Sequence, residues 1–143
     1  MKMGKTEIEE NLLNEVPESY QRYLDEIYNI SRKKRGGWVS NKELAKSLKV
    51  KPASVSGMLE KLSEKNLIIW EPRKAIRLTS EGRKIAEQLN EIHMLLNEFF
   101  EKVLKISDEE VVEELSCEIE HHITDEVKES LREFLSKYLK QPK

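Results

Sequence analysis

The sequence predicts a mainly α-helical fold, with a winged helix-turn-helix domain over residues 1–79 and an α-helical domain over residues 80–143. Three observations predict it. Apolar residues recur at helical spacing through most of the chain, as in Tyr20, Tyr23, Leu24, Ile27, Tyr28 and Ile30. Two short helical patterns meet at the tight turn Lys49-Val50-Lys51, the spacing of a helix-turn-helix. Two apolar runs, Leu67–Trp70 and Ala75–Leu78, then flank Glu71-Pro72-Arg73-Lys74, which reads as a β-hairpin wing.

Residues 5–15 read as a short amphipathic helix with Ile8, Leu12 and Leu13 inward. Pro17 opens the next helix, where its missing N–H costs nothing, and Gly36-Gly37 ends that helix after about Lys34. Ser40 with Glu43 three residues on forms a capping box for Asn41–Leu48, whose inward residues are Leu44, Ala45 and Leu48. Pro52 starts a helix through Val55, Met58, Leu59 and Leu62. Thr79 or Ser80 caps a long helix to about Lys105, with its stripe at Ile85, Leu89, Ile92, Leu95, Leu96, Phe99 and Val103. Ser107 is the expected cap of Asp108–Ile123, whose early acids complement the helix dipole. The last helix, about Asp125–Leu139, is expected to bury Val127, Leu131, Phe134, Leu135 and Tyr138.

Composition narrows the function. At 143 residues the chain suits one core or two small ones sharing a long helix. Aromatic residues are 6% of the chain, too few for a base-stacking platform on single-stranded nucleic acid. No apolar run approaches a membrane span and no secretory signal is visible, so the expected location is cytoplasmic, with no membrane partner. One cysteine cannot form an internal disulfide, which fits a reducing compartment. There is no Gly-rich phosphate loop and no nucleophile elbow.

The net charge of -2 hides an asymmetry. Residues 31–51 carry eight bases against the single acid Glu43, a segment able to face phosphates. Residues 108–129 carry ten acids against Lys128, a segment able to hold cations or simply to be solvated. In a winged helix-turn-helix the N-terminal side chains of the second helix reach base edges in the major groove. Here these are Ala53, Ser54, Ser56 and Gly57; Ser hydrogen-bonds either base type and Ala touches a thymine methyl. Lys42, Lys51 and Lys61 are placed for phosphates, and Arg73 and Lys74 serve from the wing. In Cys117-Glu118-Ile119-Glu120-His121-His122, a helix would put Cys117, Glu120 and His121 on one face, at i, i+3 and i+4. Thiolate, carboxylate and imidazole together are a ligand set for first-row transition metals.

These motifs, in this order, resemble the diphtheria toxin repressor family of iron- and manganese-dependent repressors. The likeness runs from about Tyr20 to Tyr138 and rests on Tyr23-Leu24-Asp25-Glu26-Ile27-Tyr28, Val50-Lys51-Pro52-Ala53-Ser54-Val55-Ser56, Leu78-Thr79-Ser80-Glu81-Gly82, Ile92-His93-Met94-Leu95-Leu96 and the Cys117–His122 run. The resemblance implies a homodimer that binds metal and then a palindromic double-stranded operator. It makes Cys117, Glu120 and His121 ligands, adds His93 from the long helix and Asp25 from the first, and puts Glu113 one turn before Cys117 as a further ligand. Two positions depart from the family pattern. Arg22 stands where a Met or Asp ligand is usual, and Arg22 can instead pair with Glu18; Asn97 replaces an acidic ligand. The end of the chain after Tyr138 leads us to expect no SH3-like third domain.

The expected function is therefore a metal-dependent repressor. Cys117 is softer than the Glu of manganese-type members, so iron(II) is the expected metal, with manganese(II), cobalt(II) and zinc(II) as further candidates. The apolar surplus at Phe99, Val103, Phe134 and Tyr138 points to the homodimer. The competing readings are a winged-helix regulator with a degraded, metal-independent site and, from another class, a metal-dependent hydrolase. The chain names no separate general base for the latter, so an enzyme is not expected.

Overall fold

Pro17 sets the entry of α1 (Glu18–Ser31): its carbonyl accepts from the N–H groups of Tyr20 and Gln21, each at 3.0 Å. The computed structural model describes residues 16–71 and 73–140, so the helix expected at 5–15 lies outside the described residues. Helix α1 stops at Ser31, three residues short of Lys34: Lys33 N and Lys34 N bond back only three residues, to the Ile30 and Ser31 carbonyls at 3.2 Å, and the Ser31 hydroxyl reaches the Tyr28 carbonyl at 3.0 Å. A single 3₁₀ turn, Arg35–Gly37, follows, with Gly36 and Gly37 both at positive φ (80° and 69°).

Helix α2 (Asn41–Leu48) starts at the capping box read from the sequence. Ser40 Oγ accepts from Glu43 N at 3.0 Å, and Glu43 Oε1 accepts from Ser40 N at 3.1 Å. Lys49 is left-handed (φ 58°, ψ 43°), which reverses the chain in one residue before Pro52 opens α3 (Pro52–Glu64). Helix α3 packs on α2 and on β1 (Ile68–Ile69), while α1 packs on α2 and on β2 (Arg77–Leu78). Leu24, Ile27, Leu44, Val55, Leu59 and Leu62 are fully buried among them.

The strands pair antiparallel, with Ile68 opposite Leu78 and Ile69 opposite Arg77. Each is two residues long rather than the expected four. Val39 adds a bridge that periodicity did not show, exchanging both backbone hydrogen bonds with Ile76 at 2.8 and 2.7 Å. A one-residue bridge has no alternation to detect.

Helix α4 (Ser80–Glu98) is capped by Thr79, not Ser80. The Thr79 hydroxyl accepts from Gly82 N at 3.1 Å and donates to the Asn66 carbonyl at 2.8 Å, while Thr79 N donates to the Leu67 carbonyl at 3.1 Å. These bonds draw the helix start so close to the hairpin that a Cβ at Gly82 would lie 2.0 Å from the Leu67 oxygen.

The chain divides into two compact units that meet inside α4, between Gln88 and Leu89. In the second unit, α4 widens into a π-helical turn, Phe99–Val103, where α-helix to Lys105 was expected; Leu104 N bonds back five residues to Phe99 O at 3.1 Å. Lys105 ends it in the left-handed region (φ 61°). Helix α5 (Glu109–Ile119) is capped by Asp108 rather than Ser107. Asp108 Oδ1 accepts from Glu110 N and Val111 N at 3.1 and 3.3 Å, and a carboxylate gains from the helix dipole where a hydroxyl does not. A 3₁₀ turn, Glu120–His122, replaces the expected last α turn, and α6 (Asp125–Lys140) follows.

Helix α6 buries less than expected. Leu135 alone of the five named residues is buried; Leu131 and Tyr138 are half-buried, and Val127 and Phe134 are 47% and 46% exposed. Lys128 contacts Asp125 at 3.3 Å within α6 and Glu91 of α4 at 3.9 Å, and Arg132 pairs with Glu129 and with Glu91. Phe134 stacks on Tyr138 (5.7 Å, 19°) and meets Phe99 edge-on at 6.2 Å.

Candidate metal centre and DNA-facing cleft

His93 is the hub of the polar cluster in the second unit. Helical spacing along α4 puts it one position from buried Ile92 and three from buried Leu96, at the edge of the apolar stripe. Its Nε2 lies 2.9 Å from Glu113 Oε1 on α5, and its Nδ1 lies 3.5 Å from Glu120 Oε1. Two facing carboxylates hold the imidazole protonated: Glu120 foremost, then Glu113, raise its pKa to about 9 against the opposing effect of burial. Glu120 opens the 3₁₀ turn with its side chain wholly inaccessible, and neither carboxylate oxygen makes a well-formed hydrogen bond within the protein. The contact to His93 is an ion pair at a distance too long to satisfy the oxygen. Burial accordingly raises the Glu120 carboxyl above its ordinary range, with His93 and the neighbouring Cys117 thiol opposing the shift.

Around this pair, Glu113 stands at the rim, 64% exposed, and Asn97 Nδ2 donates to its second oxygen at 3.3 Å. Asn97 thus positions a carboxylate, a use its place one turn after His93 did not disclose. Cys117, the single cysteine of the sequence, is half-buried, and His121 is half-buried with its Nε2 shielded from solvent. His122 is exposed. Ser116, one residue before Cys117, is fully buried with a hydroxyl that finds no partner in the protein. Asp25 and Arg22 are half-buried on α1 in the first unit, with the Arg22 guanidinium 3.7 Å from Glu18.

Among the described residues, no three His, Cys, Asp or Glu side chains are already closed around one ion position. The donor chemistry nonetheless fits a divalent cation. A buried carboxylate with two unsatisfied oxygens requires a compensating charge, and protonated His93 now supplies it. Imidazole, carboxylates and a thiol stand as neighbours there, and metal binding requires His93 to give up the proton it now holds and the thiol to give up its own.

In the first unit, Ala53, Ser54 and Gly57 are exposed along the start of α3, and Lys42, Lys51 and Lys61 are exposed around it. Ser56 differs. It is half-buried, and its hydroxyl accepts from Asn41 Nδ2 at 3.1 Å and reaches the Pro52 carbonyl at 3.3 Å, which ties α2 to α3. An open cleft of about 690 Å³ runs between α3 and the wing, with Lys42, Ser56, Gly57, Arg73 and Lys74 on its walls. Arg73 is exposed at φ 68°, and Lys74 pairs with Glu71 at 2.7 Å. Glu71 and Glu43, which pairs with Lys34, offset part of the positive charge that the bare sequence displays.

The class defined by these parts is a winged-helix DNA-binding unit followed by a helical unit that carries a cluster of candidate metal ligands around His93 and Glu120. Residues 15–76 match the iron dependent repressor N-terminal DNA binding domain, and residues 79–143 match the iron dependent repressor metal binding and dimerisation domain. The chain belongs to the iron dependent repressor family. It is 32% identical over 121 residues to an uncharacterized HTH-type transcriptional regulator of Methanocaldococcus jannaschii, covering 85% of this chain and 95% of that protein. It is 35% identical over 106 residues to the HTH-type transcriptional regulator MntR of Oceanobacillus iheyensis, covering 74% and 69%. Among solved structures, a manganese-dependent transcriptional repressor in complex with manganese superposes at a TM-score of 0.74 with 26% identity. That match covers 82% of this chain, which spans about half (52%) of the solved chain's length. No helix among the described residues is long and apolar enough to cross a membrane.

Proposed function

We propose that this chain is a metal-dependent transcriptional repressor, not an enzyme, that acts in the cytoplasm. In this reading residues 1–79 bind a palindromic operator and residues 80–143 hold a divalent transition metal and form the homodimer. The observation that carries it is the buried carboxylate of Glu120, unsatisfied at both oxygens and set against His93 and Cys117. His93, Glu113, Cys117, Glu120 and His121 would hold the ion, whose contribution is a positive charge at a site rich in acids. The family resemblance adds Asp25, and Asp25→Ala is the variant that tests it. The solved relative is a manganese complex. Cys117 argues here for a softer ion, iron(II) first and cobalt(II) or zinc(II) next, because a thiolate discriminates against manganese(II). Cobalt(II) reports the ligand set directly. A thiolate-to-cobalt charge-transfer band is expected in the wild type and absent in Cys117→Ser; no band in the wild type overturns Cys117 as a ligand.

The exposed apolar face of α6 supports the dimer. Val127 and Phe134, seven positions apart and so on one face of α6, are 47% and 46% exposed, and a second copy would cover them. Two-fold symmetry sets two α3 helices on successive major-groove faces of a palindrome.

The DNA-facing residues separate by role. Ser54→Ala is expected to cut discrimination between operator and random duplex by roughly 1–3 kcal/mol. Lys51→Ala should weaken both about equally and lower the salt slope by about one unit. Ser56→Ala removes the Asn41 bond, so it should lower thermal stability by about 1 kcal/mol and weaken binding to every sequence. Unchanged affinities and slopes in the Ser54 and Lys51 variants, measured by fluorescence anisotropy across a salt series, contradict the assignment.

A further inference from the structure

A second concavity of the first unit, about 300 Å³, lies at the end of α1 and is lined by Arg32, Lys34, Arg77 and Arg83 together with Gly36 and Gly37. No residue of α2 or α3 lines it, and it shares no residue with the cleft between α3 and the wing. Its charge is the unusual feature. Here Lys34 pairs with Glu43, but Arg32, Arg77 and Arg83 have no carboxylate partner among the described residues, and no acid lines the pocket.

Two of the three guanidiniums are instead held by aromatic rings. Arg32 lies 5.1 Å over Tyr28, and Arg77 lies 5.3 Å over Trp38. A ring face restrains a guanidinium plane without cancelling its charge, so the N–H edges stay free for another acceptor. Three cations brought to one concavity repel each other, and an oxyanion that takes paired N–H bonds from two guanidiniums relieves that repulsion.

We infer that this pocket is a phosphate-binding site, separate from the base-reading cleft, in which Arg32, Arg77 and Arg83 grip the oxygens of one phosphate or pyrophosphate group. Two sources supply that chemistry, a backbone phosphate of DNA and a free phosphate compound. The site does not rest on the metal or repressor reading, because it is tested on the metal-stripped full chain without DNA.

The experiment is calorimetric titration of sodium pyrophosphate into the chelator-treated, dialysed full-length chain at low ionic strength. Saturable binding at one site per chain is expected, weakened about tenfold or more in R32Q/R77Q/R83Q. Arg83→Gln should weaken it more than Arg35→Gln, which removes the same charge beside the pocket without lining it. All of these side chains are exposed, and circular dichroism checks that the variants fold. Absence of saturable binding, or equal binding by wild type and the triple variant, overturns the proposal. A DNA arm then identifies the source. If the phosphate belongs to DNA, duplex displaces pyrophosphate and the triple variant lowers the salt slope of DNA binding by about two to three units. If it is a free compound, duplex and pyrophosphate bind together and the slope is unchanged.

Discussion

Glu120→Gln is expected to reduce divalent-metal affinity by at least a hundredfold while leaving the metal-free protein folded. The amide keeps the shape of the side chain but removes the anion that burial has left unsatisfied. Losing even a supporting group around a bound metal typically costs 10–100-fold, and a buried anionic ligand should cost more. The same change carries a signature that needs no metal. In the wild type, His93 has a pKa raised from 6.5 to about 9, chiefly by Glu120. Because the folded state binds the proton more tightly than the unfolded chain does, this stabilisation is full below pH 6.5 and is lost as pH rises through 9. The whole shift corresponds to about 3 kcal/mol. The raised carboxyl of Glu120 acts in the same direction at lower pH, since stability is lost as it ionises inside the fold. Chelator-treated wild type should therefore unfold at lower urea at pH 9.5 than at pH 6, and Glu120→Gln should flatten that difference. Parallel pH profiles for the two proteins would contradict the account of His93.

Gly82→Ala should be the most damaging single methyl in the first unit. The added Cβ would sit 2.0 Å from the Leu67 carbonyl oxygen, a backbone atom that cannot swing aside. Relief requires moving the start of α4, which breaks the Thr79 bonds to Gly82 N and Asn66 O or the Thr79 N–H bond to Leu67. Overpacking of this kind costs about 1–3 kcal/mol, which for a chain of this size lowers the melting temperature by roughly 3–12 °C. Gly57→Ala is the control. Nothing lies within 4 Å of its added Cβ on α3, so the better helix former should raise stability by up to about 1 kcal/mol. Melting temperatures that move together in the two variants would show that the close approach at Gly82 is not what the residue protects.

What could be read from the chain alone follows from how local each signal is. The capping box at Ser40 and Glu43, the turn at Lys49 and Pro52 opening α3 depend on a few adjacent residues. The apolar stripes of α1 and α3 repeat often enough to fix which faces are buried. Features set by partners distant in sequence were not legible. The Val39–Ile76 bridge spans 37 residues, and the π turn at Phe99 leaves no periodic trace. On α6, periodicity marks Val127 and Phe134 as apolar without saying that a single chain leaves them exposed. The candidate centre divides the same way. Cys117 and Glu120 are visible from spacing, whereas the contacts from His93 to Glu113 and Glu120, and the hold of Asn97 on Glu113, join helices 16–27 positions apart. The arginines of the second pocket come from three separate parts of the fold, and only Arg32 lies in the basic run of residues 31–51.

The central claim, that DNA binding depends on metal at this cluster, is tested most directly by one measurement. A duplex is selected from a random pool with iron(II)-loaded protein under anaerobic conditions, and its affinity is then measured by anisotropy for the same protein after chelation and after reloading with iron(II), cobalt(II), zinc(II) or manganese(II). Chelation is expected to abolish preference for the selected duplex, iron(II) or cobalt(II) to restore it at lower concentration than manganese(II), and Glu120→Gln not to be restored by any of them. Equal affinity for the selected duplex with and without metal would contradict it.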